Sequence, residues 1–163
     1  MTTELPLMPI GRAETIQWER EYITTMMQTE GWKRINQLET VLESALPEER
    51  LKTQLFHTFT PHLYGRRIIM PKGALLTSRI HLTEHQFVIL RGVVSVWDDD
   101  QGVVTLHAGH AGVTKAGTRR VLFIHEECEW MTFHVTDETD PDKIVMQITY
   151  AGGKFKDIGG AKA

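Results

Sequence analysis

From about residue 52 onward, the sequence consists of short apolar or β-branched runs that follow one another closely. Turn-forming stretches such as PKG, GHAG, KAG and DETDPD separate them. These connections are shorter than the crossovers that parallel strands need, so the strands are expected to pair antiparallel in a barrel or sandwich. The runs predicted as strands are FHTFT, RRIIM, ALLTSRIHL, QFVILRG, VVSVW, VVTLHA, RRVLFIH, EWMTFHVT and IVMQITY.

The preceding region, from about residue 13 to residue 46, has a helical pattern. Apolar residues recur at intervals of three to four, first irregularly and then more cleanly at Ile35, Leu38 and Leu42. Gly31 separates the two apolar stripes and Pro47 follows the second. The pattern predicts two amphipathic helices.

Three regions follow from these patterns. Residues 1–50 are expected to form an N-terminal arm and a helical extension, and residues 51–152 a β domain. The glycine-rich residues 153–163 are expected to form a flexible tail. The fold class predicted is α+β, with a mainly antiparallel β domain.

Charge and composition exclude some classes of function. The net charge is −3, with acidic and basic residues interspersed, which gives no clear nucleic-acid signal. Cys128 is the single cysteine, so an intramolecular disulfide is impossible. The first residues lack the basic and apolar regions of a signal peptide, and no apolar run approaches the roughly 20 residues of a membrane span. We expect a cytoplasmic protein with no membrane partner.

The stretch GALLTSRIHLTEHQFVILRG carries a regular spacing of glycine and histidine. Five residues separate Gly73 from Arg79, and one residue separates Arg79 from His81. Three residues then separate His81 from His85, and six separate His85 from Gly92. A second spacing runs through Gly109, Lys115, Gly117, Arg120 and Ile124.

These two spacings resemble the two motifs of the cupin family, over roughly residues 60–150. The resemblance implies a cupin-like jelly-roll barrel with the N-terminal two-helix extension attached to it. The phrases IHLTEH, TKAGTRR and WMTFH are also similar to small cupin-like proteins of tailed phages, which implies a phage-encoded protein located in the host cytoplasm or the virion.

In cupins, the equivalent positions bind a divalent metal through two histidines and a glutamate of the first motif and a histidine of the second. Here those positions hold Arg79, His81, His85 and Arg120. An arginine has no lone pair to offer a metal, so only the two histidines can be ligands.

Glu84 or His134 could supply a third ligand. Strand alternation places Glu84 on the face opposite to His85, which favours His134. A hairpin of RRVLFIH and WMTFHVT, with those faces inward, would also turn His125 inward and Arg120 outward. The predicted metal ligands are His81, His85 and His134, and the metals that suit them are Fe, Mn, Ni or Zn. Alternatively, these histidines only make hydrogen bonds inside or at the mouth of the barrel.

Arg79 and Arg120 support a different site. If both enter the barrel, their guanidinium groups would favour a small anionic or sugar-like ligand, such as a sugar phosphate. The ligand-binding residues predicted for this site are Arg79, Arg120 and Glu84. The alternative is that arginines lie at strand ends and pair with Glu84 or the acidic turns; the arginines in question are Arg66, Arg67, Arg119 and Arg120.

Three functions remain open at this point. The first is a small metal-binding cupin-like protein of unknown reaction, and the second is a non-enzymatic jelly-roll protein of the virion that contacts other virion proteins. The third is an anion-binding or sugar-phosphate-binding module. Cupins often associate through their sheets, so a homo-oligomer is expected. Whether the protein is an enzyme is not decided by the sequence.

Overall fold

Two helices and seven strands are found in the residues that the computed structural model describes, which are 30–44, 51–98 and 101–150. In chain order they are α1 (Glu30–Glu43), β1 (Gln54–Thr60), β2 (Leu63–Met70), β3 (Leu75–Thr77), β4 (His85–Asp98), β5 (Gly102–His107), β6 (Ala111–Thr114), β7 (Val121–Val135) and α2 (Pro141–Ile148). The arm, the first predicted helix and the tail lie outside the described residues, as do the predicted boundaries at residues 50 and 152.

The long strands β4 and β7 pair with each other along most of their length and connect two halves of the sheet. In one half, β2 and β6 flank them, with β1 beyond β2. In the other half, β3 and β5 flank them. All these pairings are antiparallel. The predicted α+β class and the antiparallel, jelly-roll type of sheet are therefore confirmed.

A bulged segment separates the two halves of β4. The register against β7 shifts between Ile89 and Val94, and Gly92 in this segment has φ 88°. A Cβ on Gly92 would lie 2.1 Å from the carbonyl oxygen of Glu127, so only glycine fits. The sequence pattern predicts two strands here, QFVILRG and VVSVW. The structure has one continuous strand that passes through the bulge.

Strand β7 is also one continuous strand, so the predicted hairpin of RRVLFIH and WMTFHVT is wrong. The acidic stretch EEC pairs within β7 instead of forming a turn. The inner face carries even-numbered residues on both sides of the irregular segment, where Glu126 is exposed instead. These are Leu122, Ile124, Cys128, Trp130, Thr132 and His134, all buried, whereas Phe123 and His125 are exposed.

The run IVMQITY was predicted as a strand, and this is wrong because it forms most of α2. Asp140 caps the helix by accepting a hydrogen bond from the backbone N–H of Asp142, and Pro141 occupies the first turn. Ile144 and Ile148, one turn apart, are buried against Tyr64. The β-branched residues of this segment therefore belong to a helix. The Asp140–Pro141 sequence that caps the helix is part of the stretch DETDPD, which was predicted to form a turn.

Helix α1 corresponds to the second predicted helix. It buries Trp32 and Ile35, and it also buries Glu39, whose carboxylate lies 2.6 Å from Nη2 of Arg119. Thr77 of β3 donates a hydrogen bond to the same carboxylate. The buried ion pair of Glu39 and Arg119 therefore stabilises the packing of the helix in addition to its apolar contacts. Neither described helix is long and apolar enough to cross a membrane.

Candidate ligand site

Three histidine side chains meet at one end of the sheet. The ring centroids of His81 and His85 lie 4.6 Å apart, and those of His85 and His134 lie 4.4 Å apart. His85 and His134 are almost completely buried. The three histidines that the sequence selected as metal ligands are therefore neighbours in the folded chain.

The strand register explains this grouping. Gln86 of β4 pairs with Phe133 of β7, so the preceding His85 lies beside His134 on the inner face. His81 lies in the connection between β3 and β4, where its backbone N–H bonds to Thr118 and the residue forms an isolated bridge with Thr149.

All three imidazoles are held in the neutral form. Burial lowers the pKa of His134 to about 3 and the pKa of His81 well below its ordinary value, and it also lowers the pKa of His85. Smaller effects in the same direction come from neighbouring imidazoles and from the guanidinium groups of Arg66 and Arg120.

Hydrogen bonds fix the tautomers of two of the rings. Nδ1 of His85 lies 3.2 Å from the carbonyl oxygen of Thr83, which can only accept, so Nε2 of His85 has the lone pair. The hydroxyl of Thr132 lies 3.4 Å from the backbone carbonyl oxygen of Arg66 and 3.0 Å from Nε2 of His134. If the hydroxyl hydrogen is directed to the carbonyl, which can only accept, Nε2–H of His134 donates to the hydroxyl oxygen. The lone pair of His134 is therefore on Nδ1.

Buried Nδ1 atoms of His81 and His134 have no hydrogen-bond partner among the described residues. An unsatisfied polar atom in a protein interior costs about 1–3 kcal/mol, so such atoms usually indicate a bound group or a functional role. The two unsatisfied nitrogens therefore indicate that this histidine cluster binds a ligand.

The histidines line a cavity of about 160 Å³. One wall is apolar and is formed by β2, β3, β7 and α2. Hydroxyl groups of Ser78, Thr114 and Thr132 contribute polar positions. The apolar lining residues are Leu55, Ile68, Met70, Leu76, Leu122, Trp130, Val145 and Ile148.

Three arginines, Arg66, Arg79 and Arg120, also line the cavity. Nη1 of Arg120 donates to the hydroxyl of Thr114 over 3.0 Å, and its backbone N–H donates to the hydroxyl of Ser78. Its guanidinium carbon lies 5.4 Å from the ring centroid of Phe87. None of the described residues that line this cavity is Asp or Glu, so the ionised groups among these described residues are all cationic.

Two expectations about residue placement are not met. Arg120 was expected to point away from the inner face, but it precedes β7 rather than belonging to a strand, and its side chain lines the cavity. Glu84, predicted as a ligand-binding residue, is exposed and does not line the cavity. Arg79 does line it, as the anion hypothesis required.

Sequence reasoning missed two contributors. Arg66, for which a strand-end position is the alternative from the sequence, lies mid-strand in β2 on the face that also carries Tyr64 and Ile68, and strand alternation could have shown this. The fully buried Tyr64 ring stacks against His134 at 5.9 Å, and its hydroxyl lies 2.6 Å from Nδ1 of His57. Nothing in the local sequence marks this contact.

The donor chemistry suits a divalent metal, because neutral imidazoles are common metal ligands. The arrangement does not: within residues 30–44, 51–98 and 101–150, no group of three or more His, Cys, Asp or Glu side chains is placed so that it could hold a metal ion. A metal would therefore need these side chains to move.

No protein-family model and no curated protein sequence matches the chain. Among solved structures, a cupin-2 domain protein from Shewanella frigidimarina is similar, with 18% identity, a TM-score of 0.43, and coverage of 51% of this chain and 80% of that one. An RmlC-like cupin family protein with a double-stranded β-helix fold from Methanocaldococcus jannaschii has 12% identity, a TM-score of 0.45, and coverage of 62% and 92%. The cupin domain of Schizosaccharomyces pombe Cnp3 has 16% identity, a TM-score of 0.44, and coverage of 58% and 69%. Similarities at this level do not assign a family or a function to the chain.

Proposed function

We propose that the chain binds a small anionic ligand in the cavity between β2, β7 and α2. The observation that carries this proposal is the charge of the lining: Arg66, Arg79 and Arg120 line the cavity, and none of its described lining residues is acidic. Arginine is the side chain best suited to carboxylates and phosphates, since its planar group offers several donors.

The surroundings of the arginines favour an anion over a cation. The nearby histidines are neutral, so they neither compensate the arginine charge nor add to it. Apolar walls exclude water and strengthen an interaction between guanidinium and anion. Hydroxyl groups of Ser78 and Thr114, which contact Arg120, offer further hydrogen bonds.

Isothermal titration calorimetry with inorganic phosphate and with acetate, at constant ionic strength, tests this proposal. We expect saturable binding of at least one anion and a loss of about tenfold or more in affinity for Arg120→Gln and for Arg66→Gln. Arg91→Gln is the matched control, because Arg91 is half-exposed, pairs with Glu127 and does not line the cavity. Equal losses in all three variants, or no binding of either anion, would contradict the proposal.

A divalent metal (Fe, Mn, Ni or Zn) bound by His81, His85 and His134 is the second candidate. The observation in its favour is the close grouping of three neutral imidazoles, two of them with assigned lone pairs. Against it stands the present arrangement of the side chains. Elemental analysis of untagged protein distinguishes the two: near one metal per chain, lost in His81→Ala and in His134→Ala, would support the metal.

A phage origin, contacts with virion proteins and homo-oligomer formation stay predictions. Light scattering of the purified full chain measures the oligomeric state directly, and a monomer at micromolar concentration would contradict the homo-oligomer.

A further inference from the structure

We infer that the ligand is a small hydroxycarboxylate, in which the arginines hold the carboxylate and the histidine lone pairs accept hydrogen bonds from a hydroxyl group. This inference rests on the proposed function, because it assumes that the cavity holds an anion. It adds a second recognition element, which is the pair of imidazole nitrogens of His85 and His134 that have a lone pair and lie near the arginines.

The acceptors are defined by the hydrogen bonds that the rings already make. His85 uses its Nδ1–H on Thr83, and His134 uses its Nε2–H on Thr132, so each has one nitrogen left with a lone pair. Nδ1 of His134 is buried and makes no hydrogen bond to any described residue. A ligand that offers an O–H group would satisfy this nitrogen, whereas a ligand with acceptors alone would leave it unsatisfied.

The two kinds of recognition group lie within one cavity. Arg66 pairs in register with Thr132, the residue that accepts from His134, and the Arg66 backbone carbonyl accepts from the Thr132 hydroxyl. The side chains of Arg66 and Arg120 line the same cavity as those of His81, His85 and His134. A single small molecule can therefore contact a guanidinium group and an imidazole at the same time.

Cavity size limits the ligand. A cavity of about 150 Å³ accommodates benzene, and the cavity here measures about 160 Å³. The enclosed part of a ligand should therefore have roughly six to ten non-hydrogen atoms. A cavity of this size encloses only part of a sugar phosphate, whereas a small hydroxy acid fits within it completely. The apolar wall formed by Met70, Leu122 and Trp130 suits a short carbon chain.

A matched ligand pair tests the inference. The probes are 2-hydroxypropanoate and 2-methylpropanoate, which have the same charge and the same number of non-hydrogen atoms but differ in one hydroxyl group. Affinities are measured by calorimetry in excess EDTA, so that chelation of a metal by the hydroxy acid cannot contribute. We expect the hydroxy acid to bind about tenfold tighter or better, since a site built to accept from a hydroxyl discriminates against an analogue without one.

Variants assign the discrimination to the lone pairs. His134→Phe should reduce the ratio of the two affinities to near one while 2-methylpropanoate still binds, and His85→Phe provides a second case if the first variant does not fold. His62→Phe, at an exposed position, is the control and should keep the wild-type ratio.

The outcomes separate this inference from the proposed function. Equal affinities for the two acids in the wild-type protein would overturn the hydroxycarboxylate inference and leave anion binding intact. A preference that disappears in EDTA would overturn it as well, since the hydroxyl group would then be recognised by a metal. If neither these acids nor phosphate binds, the proposed function itself fails.

Discussion

The imidazole rings of His85 and His134 lie 4.4 Å apart although they belong to different strands. The antiparallel register of β4 and β7 places them side by side, and each uses one nitrogen on a neighbouring threonine. Their grouping is therefore a consequence of the central strand pair of the fold.

Replacing Gly92 by alanine should disrupt the bulge between the two halves of β4. The new Cβ would lie 2.1 Å from the Glu127 carbonyl oxygen, and φ is 88°. We expect a loss of about 3 kcal/mol or more in the free energy of unfolding, since a strained backbone conformation and a backbone clash add together. The control Gly102→Ala, at φ 68° with open space around it, should cost about 1 kcal/mol. Urea denaturation measures both, and equal losses would contradict the close approach at Gly92.

Glu39→Gln should weaken the attachment of α1 to the sheet. The carboxylate pairs with Arg119 within the interior, where Arg119 also lies 4.8 Å from the Trp32 ring centroid. Removing one member of a buried pair costs about 3–5 kcal/mol, because it leaves a buried charge uncompensated. The exposed pair of Glu30 and Lys33 is the comparison, and Glu30→Gln should cost less than about 1 kcal/mol. Losses below about 1 kcal/mol in both variants would show that α1 is held without the ion pair.

The buried histidines should make the metal-free protein sensitive to acid. The pKa of His134 falls from an ordinary value of 6.5 to about 3 in the folded chain. Between these two values the unfolded chain binds a proton that the native chain does not, so stability decreases as the pH falls through this range. The slope contributed by this group is at most about 1.4 kcal/mol per pH unit.

His134→Asn tests this prediction. Denaturation of the wild-type protein and the variant in EDTA, between about pH 6 and pH 4, should give a shallower pH slope for the variant. An identical slope in wild-type protein and His134→Asn would mean that the His134 ring is not held neutral.

Cys128 should be unreactive in the native protein. Its side chain is fully buried on the inner face of β7, and burial raises the pKa of the thiol to about 11. Only the thiolate reacts, so alkylation by iodoacetamide near pH 8 should be at least about 100-fold slower than for free cysteine. Mass spectrometry follows the reaction, with the urea-unfolded chain as the positive control. A native rate close to that of the unfolded chain would contradict the burial.

The antiparallel sheet could be predicted because short runs with short connections leave few other arrangements. The spacing of the two motifs also carries structural information, since their glycines all have positive φ. These glycines are Gly73, Gly92, Gly109 and Gly117. The histidines that meet in the cavity were selected from the same spacing together with strand alternation.

The position of Arg120 and the helical state of residues 141–148 depend on contacts with residues distant in the sequence, which a local sequence pattern does not show. Alternation in β7 was assigned to two separate strands, and with their selected faces inward this assignment directs Arg120 outward, whereas its side chain lines the cavity. Arg120 is positioned by hydrogen bonds to Ser78 and Thr114, which come from other segments. The helical state of residues 141–148 depends on an Asp-Pro cap and on burial of Ile144 against Tyr64, which outweigh the strand preference of its β-branched residues.

The most direct test of anion binding in the cavity is a ¹H–¹⁵N NMR titration of the full chain with 2-hydroxypropanoate and, separately, with inorganic phosphate, both in excess EDTA. The account predicts saturable shifts of backbone signals at Thr114, Arg120 and Thr132, with little change at exposed Arg91. Non-saturable shifts spread over the surface for both anions would contradict a binding cavity at the three histidines.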